Sequence, residues 1–331
     1  MKFGPVPVAN AKGTVLAHSV RLNSGRLRKG VLLEASHIAA LREAGVAQVV
    51  VARLDANDVA ENDAAAALAQ AVLGDGRGLQ VTAPFTGRVN LLATGPGVVQ
   101  LDVAALEAVN AVDPMITIAT VPAQGQLATG GMAATIKIIS YAVSDSALSA
   151  AVAAAGSGAI SLANPVLRTA TLIITDIPGG PADKGRKAIE DRLAALDMQL
   201  DAVVLVAHDE SALAAEIATA QSDLVLVLTG SATSDLADVA PSALRRAGGR
   251  VLRFGMPVDP GNLLFVGDLG ERPVIGLPGC ARSPALNGVD WVLSRIVCGV
   301  PVTASDIAGM GVGGLLKEIP SRPQPRRGGK A

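Results

Sequence analysis

From Thr171 onward the apolar positions of this chain alternate between two periods. Residues 172–175 form a short apolar run that predicts a buried strand, and residues 184–196 place Ile189, Leu193 and Leu196 on one helical face. The next strand is expected at 203–206, then a helix carrying Leu213 and Ile217, a strand at 224–228 and a helix opening near Asp238 with Leu244 inward. Three βα units in succession imply a parallel sheet covered on both faces. Residues 251–254, 263–266 and 274–277 add strands, and 284–298 closes the pattern with a helix.

Before residue 165 the pattern is different. Short apolar segments are separated by Gly-rich turns: 36–44 is helix-like, 46–51 strand-like, and the acidic, Ala-rich stretch 55–73 reads as a helix capped by Asn57 or Asp58. The runs 83–88, 95–97 and Gly130-Gly131 are punctuation of mixed β structure. The expected organisation is an α+β N-terminal region over 1–165, a doubly wound α/β domain over 166–305 and a Gly/Pro/Arg-rich tail or linker over 306–331.

Composition narrows the function. Half of the 331 residues are apolar but only six are aromatic, so Ala, Val and Leu carry the packing and stacking platforms for exposed bases are scarce. A formal net charge of −1 offers no overall basic stripe for a phosphate backbone, and nucleic acid is not expected as a partner. The positive mean hydropathy directs attention to the uncharged stretch 146–167. Gly156, Ser157, Gly158, Asn164 and Pro165 interrupt it and its small Ala side chains give a weak insertion drive, so no membrane span is expected. The opening residues lack the apolar core of a secretion signal, and the cytoplasm is the expected compartment. Cys280 and Cys298 make neither a disulfide framework nor a zinc site, and His18, His37 and His208 are scattered.

Three loops that follow predicted strands carry the candidate chemistry: Thr175-Asp176, the run 229–235 and the run 278–283. In an open parallel sheet, ligands sit beyond the carboxyl ends of the strands, so these loops should converge. A phosphate needs outward backbone N–H groups, little side-chain bulk and a helix N-terminus. Thr229, Gly230, Ser231, Thr233 and Ser234, followed by the helix near Asp238, supply all three. The same residue types also suit an ordinary strand-to-helix turn with Asp238 as its N-cap, and both readings stand at this point. Asp235 and Asp238 are anions beside a proposed anion. At about 4 Å and an effective dielectric near 20 such a pair repels by roughly 4 kcal/mol, more than a helix end contributes. Either Asp235 points away or a hard cation such as Mg²⁺, held by carboxylate and phosphate oxygens, intervenes. Gly279 permits close approach, Arg282 offers a planar fork, and Pro260-Gly261 is a tight turn that would line the same pocket. Cys280 beside a Gly turn reads as small packing rather than a nucleophile, Cys298 as core, and the cluster Thr86, Gly87, Arg88 and Asn90 as a solvated turn.

These residues resemble the molybdopterin-binding fold family. Its signature has a Thr-Gly-Gly run, then Ser or Thr, a Gly, and an Asp at the helix start; Thr229 and Gly230 match, Thr233 stands for the Ser and Asp238 for the Asp. Leu277-Pro278-Gly279 matches the family's Leu-Pro-Gly with Ser283 at its Ser, and Pro260-Gly261 its Pro-Gly. The early stretch with Gly13, Leu16, Ala17, Lys29-Gly30, Leu41 and Gly45 is similar to the opening of molybdopterin molybdotransferases. There are departures: Ser231 replaces the second Gly, Asp235 a later Gly, Cys280-Ala281 an Asn-Pro, and Thr175-Asp176 ends its strand without the family's Thr-Gly-Asp-Glu. The variant 277–283 and the Gly-rich 309–314 look like a bacterial branch in which this unit precedes a domain similar to molybdenum cofactor cytidylyltransferase. The resemblance implies a cytoplasmic protein of molybdenum cofactor metabolism, a homodimer in the family's manner. It would bind molybdopterin or its adenylated form and insert molybdate with Mg²⁺. Asp176 and Asp238 would be catalytic, Asp235 and Asp238 would hold the metal, and Thr175, Thr229, Gly230, Ser231, Thr233, Ser234, Pro260, Gly261, Pro278, Gly279, Cys280, Arg282 and Ser283 would bind the pterin phosphate. The incomplete acidic pair keeps a second reading open, a non-catalytic carrier serving a separate nucleotidyltransferase or molybdoenzyme. A phosphate-ligand hydrolase on the same fold is the third.

Overall fold

The computed structural model describes residues 1–316; the Pro- and Arg-rich run expected as a linker at 320–330 lies outside them. The chain divides into two compact units, one built mainly from 1–162 and one mainly from 163 onward.

The first unit is α+β. The strands Lys2–Pro7, Gln48–Arg53 and Val15–Leu16 form an antiparallel sheet, and Val20–Leu22 and Gly25–Leu27 form a separate hairpin. A four-stranded antiparallel sheet takes Ile116–Thr120, Met132–Ile138, Arg88–Ala93 and Leu79–Val81 in that order. Helices run over Ala35–Glu43, Glu61–Leu73, Val103–Val112 and Asp145–Ala155. The helix expected from residue 55 starts six residues later. Asp58–Ala60 is a strand paired with Ala142–Ser144, and the Asp58 carboxylate accepts from the Asp55 N–H at 2.7 Å instead of capping a helix. The uncharged stretch 146–167 falls into the helix Asp145–Ala155 and the strand Ile160–Ala163, and no described helix is long and apolar enough to cross a membrane.

The second unit is a three-layer α/β sandwich. Its elements in chain order are β1 (Thr169–Asp176), α1 (Arg186–Ala194), β2 (Gln199–Ala207), α2 (Glu210–Thr219), β3 (Leu224–Leu228), α3 (Val239–Arg246), β4 (Arg250–Phe254), β5 (Phe265–Leu269), β6 (Arg272–Leu277), α4 (Gly288–Val297) and α5 (Ala304–Gly309). The sheet order is β2-β1-β3-β6-β5-β4, with β2, β1, β3 and β6 parallel, β5 antiparallel to β6 and β4 antiparallel to β5. Alternate residues of each central strand enter opposite cores, as the two-residue side-chain period requires. Leu172, Ile174, Leu226, Leu228 and Ile275 pack with α1 and α4 on one face, whereas Ile173, Val225, Val227 and Val274 pack with α2 and α3 on the other. Both faces being covered explains why β3 is an unbroken apolar run, buried at every position.

Two boundaries differ from those expected. The last long helix opens at Gly288, not 284, because Asn287 caps it in a reciprocal box with Asp290 and the preceding residues are held in another conformation. Residues 306–316, assigned by sequence to the tail, belong partly to the core: Ile307 and Met310 are buried among α4 and the sheet, and Leu316 donates its N–H to the Asp259 carbonyl.

Candidate functional site

The strand register places the three predicted loops at one edge. Ile174 pairs with Leu228 and Leu228 with Leu277, so Asp176, Thr229 and Pro278 leave the sheet side by side. Phe254 pairs with Phe265 and Phe265 with Gly276, which brings the β4–β5 connection with Pro260-Gly261 to the same edge.

Arg282 ties the loops together. Its guanidinium donates to the carbonyls of Thr229 at 3.0 Å and Ala182 at 3.2 Å, and also to that of Lys184. Burial among these groups lowers its pKa from the ordinary value. Such an arginine organises the site's wall rather than standing open to an anion, since three of its five N–H groups are committed to carbonyls. The close approach is built into glycines. Gly185, at φ 95°, lies so near that a Cβ would fall 2.6 Å from the Arg282 Cα, and a Cβ on Gly230 would fall 2.8 Å from the Thr175 carbonyl oxygen.

Thr175, fully buried, forms the centre of a small polar relay. Its Oγ1 accepts the Gly230 N–H at 3.0 Å and lies 2.8 Å from His208 Nδ1. A buried hydroxyl needs an acceptor for its own proton, and His208 Nδ1 is the described atom that can take it. The expected direction of the relay is from the Gly230 amide through Thr175 Oγ1–H to the imidazole, which would leave the histidine proton on Nε2. The His208 N–H also donates to the Asp176 carbonyl at 3.0 Å. An open cavity of about 400 Å³, lined by Asp176, Ile177, Pro178, Leu205, Val206 and Ala207, adjoins these residues.

The 229–238 loop spends most of its side chains on itself. Asp238 caps α3, accepting from the Val239 N–H at 2.8 Å with one oxygen and from the Ser234 N–H at 3.0 Å with the other. Asp235 accepts from the Ala237 N–H at 2.7 Å through Oδ1, and its Oδ2 has no described partner. Thr229 and Thr233 are buried with their hydroxyls 3.3 Å apart. The amides of Gly230 and Ser234 are thus occupied, while those of Ser231, Ala232 and Thr233 have no partner among the described residues. Ser231 and Ala232 are exposed residues and Thr233 is buried.

On the third loop, Gly279 faces open space: a Cβ there would meet no protein atom. Ser283 Oγ accepts the Ala285 N–H at 3.2 Å, and Cys280 Sγ accepts from Asn287 Nδ2 at 3.0 Å. Cys298 is core, its thiol pushed up to about 11 by burial. Pro260 and Gly261 are both buried, with the Pro260 carbonyl accepting the Gly288 N–H at 2.8 Å. Their role at this edge is packing beneath the start of α4. Among the described residues no group of three or more His, Cys, Asp and Glu side chains is placed to hold a metal.

Three organising residues escaped the sequence reading. His208 directly follows β2, whose last residue Ala207 pairs with Asp176 at the end of β1, and its position one residue past a strand end was the available signal. Asn287 is buried and precedes Asp290 by three, a capping-box spacing obscured by placing the helix start at 284. Arg192 gave no local signal. All five of its N–H groups find acceptors: Asp290 Oδ1 at 2.6 Å and the carbonyls of Ala188, Ala281, Ser283 and Ala285 at 2.9 to 3.1 Å.

Known families and structures bear on two segments. Residues 146–296 match the family described as a probable molybdopterin binding domain, which agrees with the resemblance carried by the loops, and residues 5–53 match a domain of unknown function, DUF8806. Among curated proteins none matches significantly. Similar solved structures include a molybdopterin biosynthesis MoeA protein from Pyrococcus horikosii, at 14% identity over 90% of this chain and 75% of that one, with a TM-score of 0.31. A molybdenum cofactor biosynthesis protein from Pyrococcus furiosus aligns at 12% identity over 93% of this chain and 65% of that one, TM-score 0.24. The molybdopterin biosynthesis enzyme MoaB from Thermus thermophilus aligns at 18% identity over 46% of this chain and all of that one, TM-score 0.28.

Proposed function

We propose, from the molybdopterin-binding domain over 146–296, that the carboxyl edge of the second unit's sheet binds molybdopterin or its adenylated form as substrate in molybdenum cofactor metabolism. The observation that carries this reading is the run of amides at Ser231, Ala232 and Thr233 without a described partner, on the loop after β3, with the exposed Gly279 on the loop after the neighbouring strand β6. A phosphate seated there takes charge-assisted backbone hydrogen bonds. The wall held by Arg282 fixes the donors in advance, so little ordering is left for the moment of binding.

In this reading Mg²⁺ would be held by Asp235, whose second oxygen has no described partner, together with phosphate oxygens of the ligand, while Asp238 holds the loop. The ion would supply charge neutralisation between carboxylate and phosphate, the repulsion that otherwise opposes binding. Asp176 lines the adjoining cavity and is the remaining carboxylate of the proposed chemistry.

Isothermal titration with molybdopterin tests the site. We expect saturable binding, strengthened by Mg²⁺ in the native protein and not in Asp235→Asn; no heat at high micromolar ligand overturns the assignment. Whether the bound ligand is turned over separates a molybdate-inserting enzyme from a carrier. The commitment of both Asp238 oxygens to backbone amides favours the carrier, and consumption of the adenylated ligand with Mg²⁺ and molybdate would decide for the enzyme.

A further inference from the structure

The near-neutral charge of the chain conceals a segregation. Residues 1–53 hold eight Lys and Arg against two acids, Glu34 and Glu43, a net charge of +6, whereas residues 54–162 hold three basic residues against nine acids, a net charge of −6. The basic segment coincides with the domain of unknown function at 5–53.

Its charge is concentrated on the hairpin Val20–Leu22/Gly25–Leu27. Val20, Leu22 and Leu27 turn one face of the hairpin onto a core with Leu16 and Leu41. The other face presents Arg21 and Arg26 as direct cross-strand partners, and both are exposed. Arg28 and Lys29, also exposed, follow at once. Directly opposed residues hold their Cβ atoms about 4.5–5.5 Å apart, and like charges in that relation destabilise the pair. No described carboxylate forms an ion pair with any of the four. The fold thus maintains an unneutralised cationic face, with no contribution to the core, on a module that is otherwise compact.

We infer that this hairpin face is a docking surface for an acidic protein surface. Two observations select that partner over nucleic acid. The four cations sit within nine residues of sequence on one short hairpin and neutralise at most four phosphates, so the counterion release that drives nucleic-acid binding is small there. Residues 20–29 hold no aromatic side chain, so the face offers no platform for stacked bases.

The test uses the full chain and poly-L-glutamate as the acidic polypeptide, with a 16-base-pair DNA duplex alongside. Arg21→Glu/Arg26→Glu keeps a like-charged cross-strand pair, so the hairpin's internal repulsion is unchanged while its sign reverses. Lys12→Glu/Arg42→Glu alters total charge by the same amount elsewhere in the segment. At 0.1 M salt the hairpin variant should bind poly-L-glutamate at least tenfold more weakly than the native protein, the control variant no more than threefold more weakly. Equal losses in the two variants would show bulk charge only and overturn the proposal. Tighter binding of the DNA duplex than of poly-L-glutamate, lost in the hairpin variant, would overturn it in favour of nucleic acid.

Discussion

The two units deploy their arginines in opposite ways. At the carboxyl edge of the second unit, Arg192 and Arg282 point inward and give their N–H groups to loop carbonyls that no regular element satisfies. On the first unit's hairpin, Arg21 and Arg26 face one another and the solvent. A guanidinium committed to acceptors of the fold, with five bonds from Arg192 and three from Arg282, is part of the architecture; one whose cross-strand partner is another guanidinium is held for something outside the fold. The distinction has a sign, because removing the first kind must weaken the protein and removing the second must strengthen it.

The largest effect is expected at Arg192. Arg192→Ala leaves Asp290 and the carbonyls of Ala281, Ser283 and Ala285 without their donor, and breaking a buried pair of this type costs about 3–5 kcal/mol. Lysine cannot rescue it, since three donors on a point charge do not serve five fixed acceptors. Urea denaturation measures the loss, and a cost of under about 1 kcal/mol would remove the contrast between the units.

Next comes Thr175→Val, which keeps shape and deletes the hydroxyl between Gly230 and His208. The Gly230 amide is left unsatisfied, a penalty of about 1–3 kcal/mol, while Thr175→Ser should retain most of the native stability. The relay also has a signature independent of any ligand: nitrogen NMR of His208 should show the proton on Nε2 in the native protein. A proton on Nδ1 would mean that Thr175 accepts from both neighbours and the proposed direction is reversed.

How much of this was legible follows from where each signal resides. Strands β1, β3 and β6 and the helices between them were readable because two-sided burial writes an unbroken apolar run, as at Leu224–Leu228, and one-sided burial writes a 3.6-residue period. Convergence of Thr175, Thr229 and Pro278 at one edge then followed from parallel topology alone. What the sequence hid is longer in range. Arg282 reaches back about a hundred positions to Ala182, and Arg192 forward nearly as far to Ala281, so no local pattern announces them as staples. The Asp58 error has the same origin: pairing of Asp58–Ala60 with Ala142–Ser144 overrides a favourable helix start. In the first unit, total charge masked the hairpin because an average over the chain cancels +6 against an acidic remainder.

The smallest effect sharpens the comparison most, because its sign is opposite. Arg21→Thr places a β-branched neutral residue across from Arg26 and removes the like-charge repulsion, so the protein should gain a few tenths of a kcal/mol, within the range of about 0.2–1 kcal/mol for cross-strand pairs. The gain should shrink in high salt, where the repulsion is already screened over a few ångströms. Thermal melts at low and high ionic strength, compared with the native chain, read both quantities. A loss of stability from Arg21→Thr at low salt would mean that the arginine serves the fold of the first unit as Arg192 serves the second, and the hairpin face would lose its claim to an outside partner.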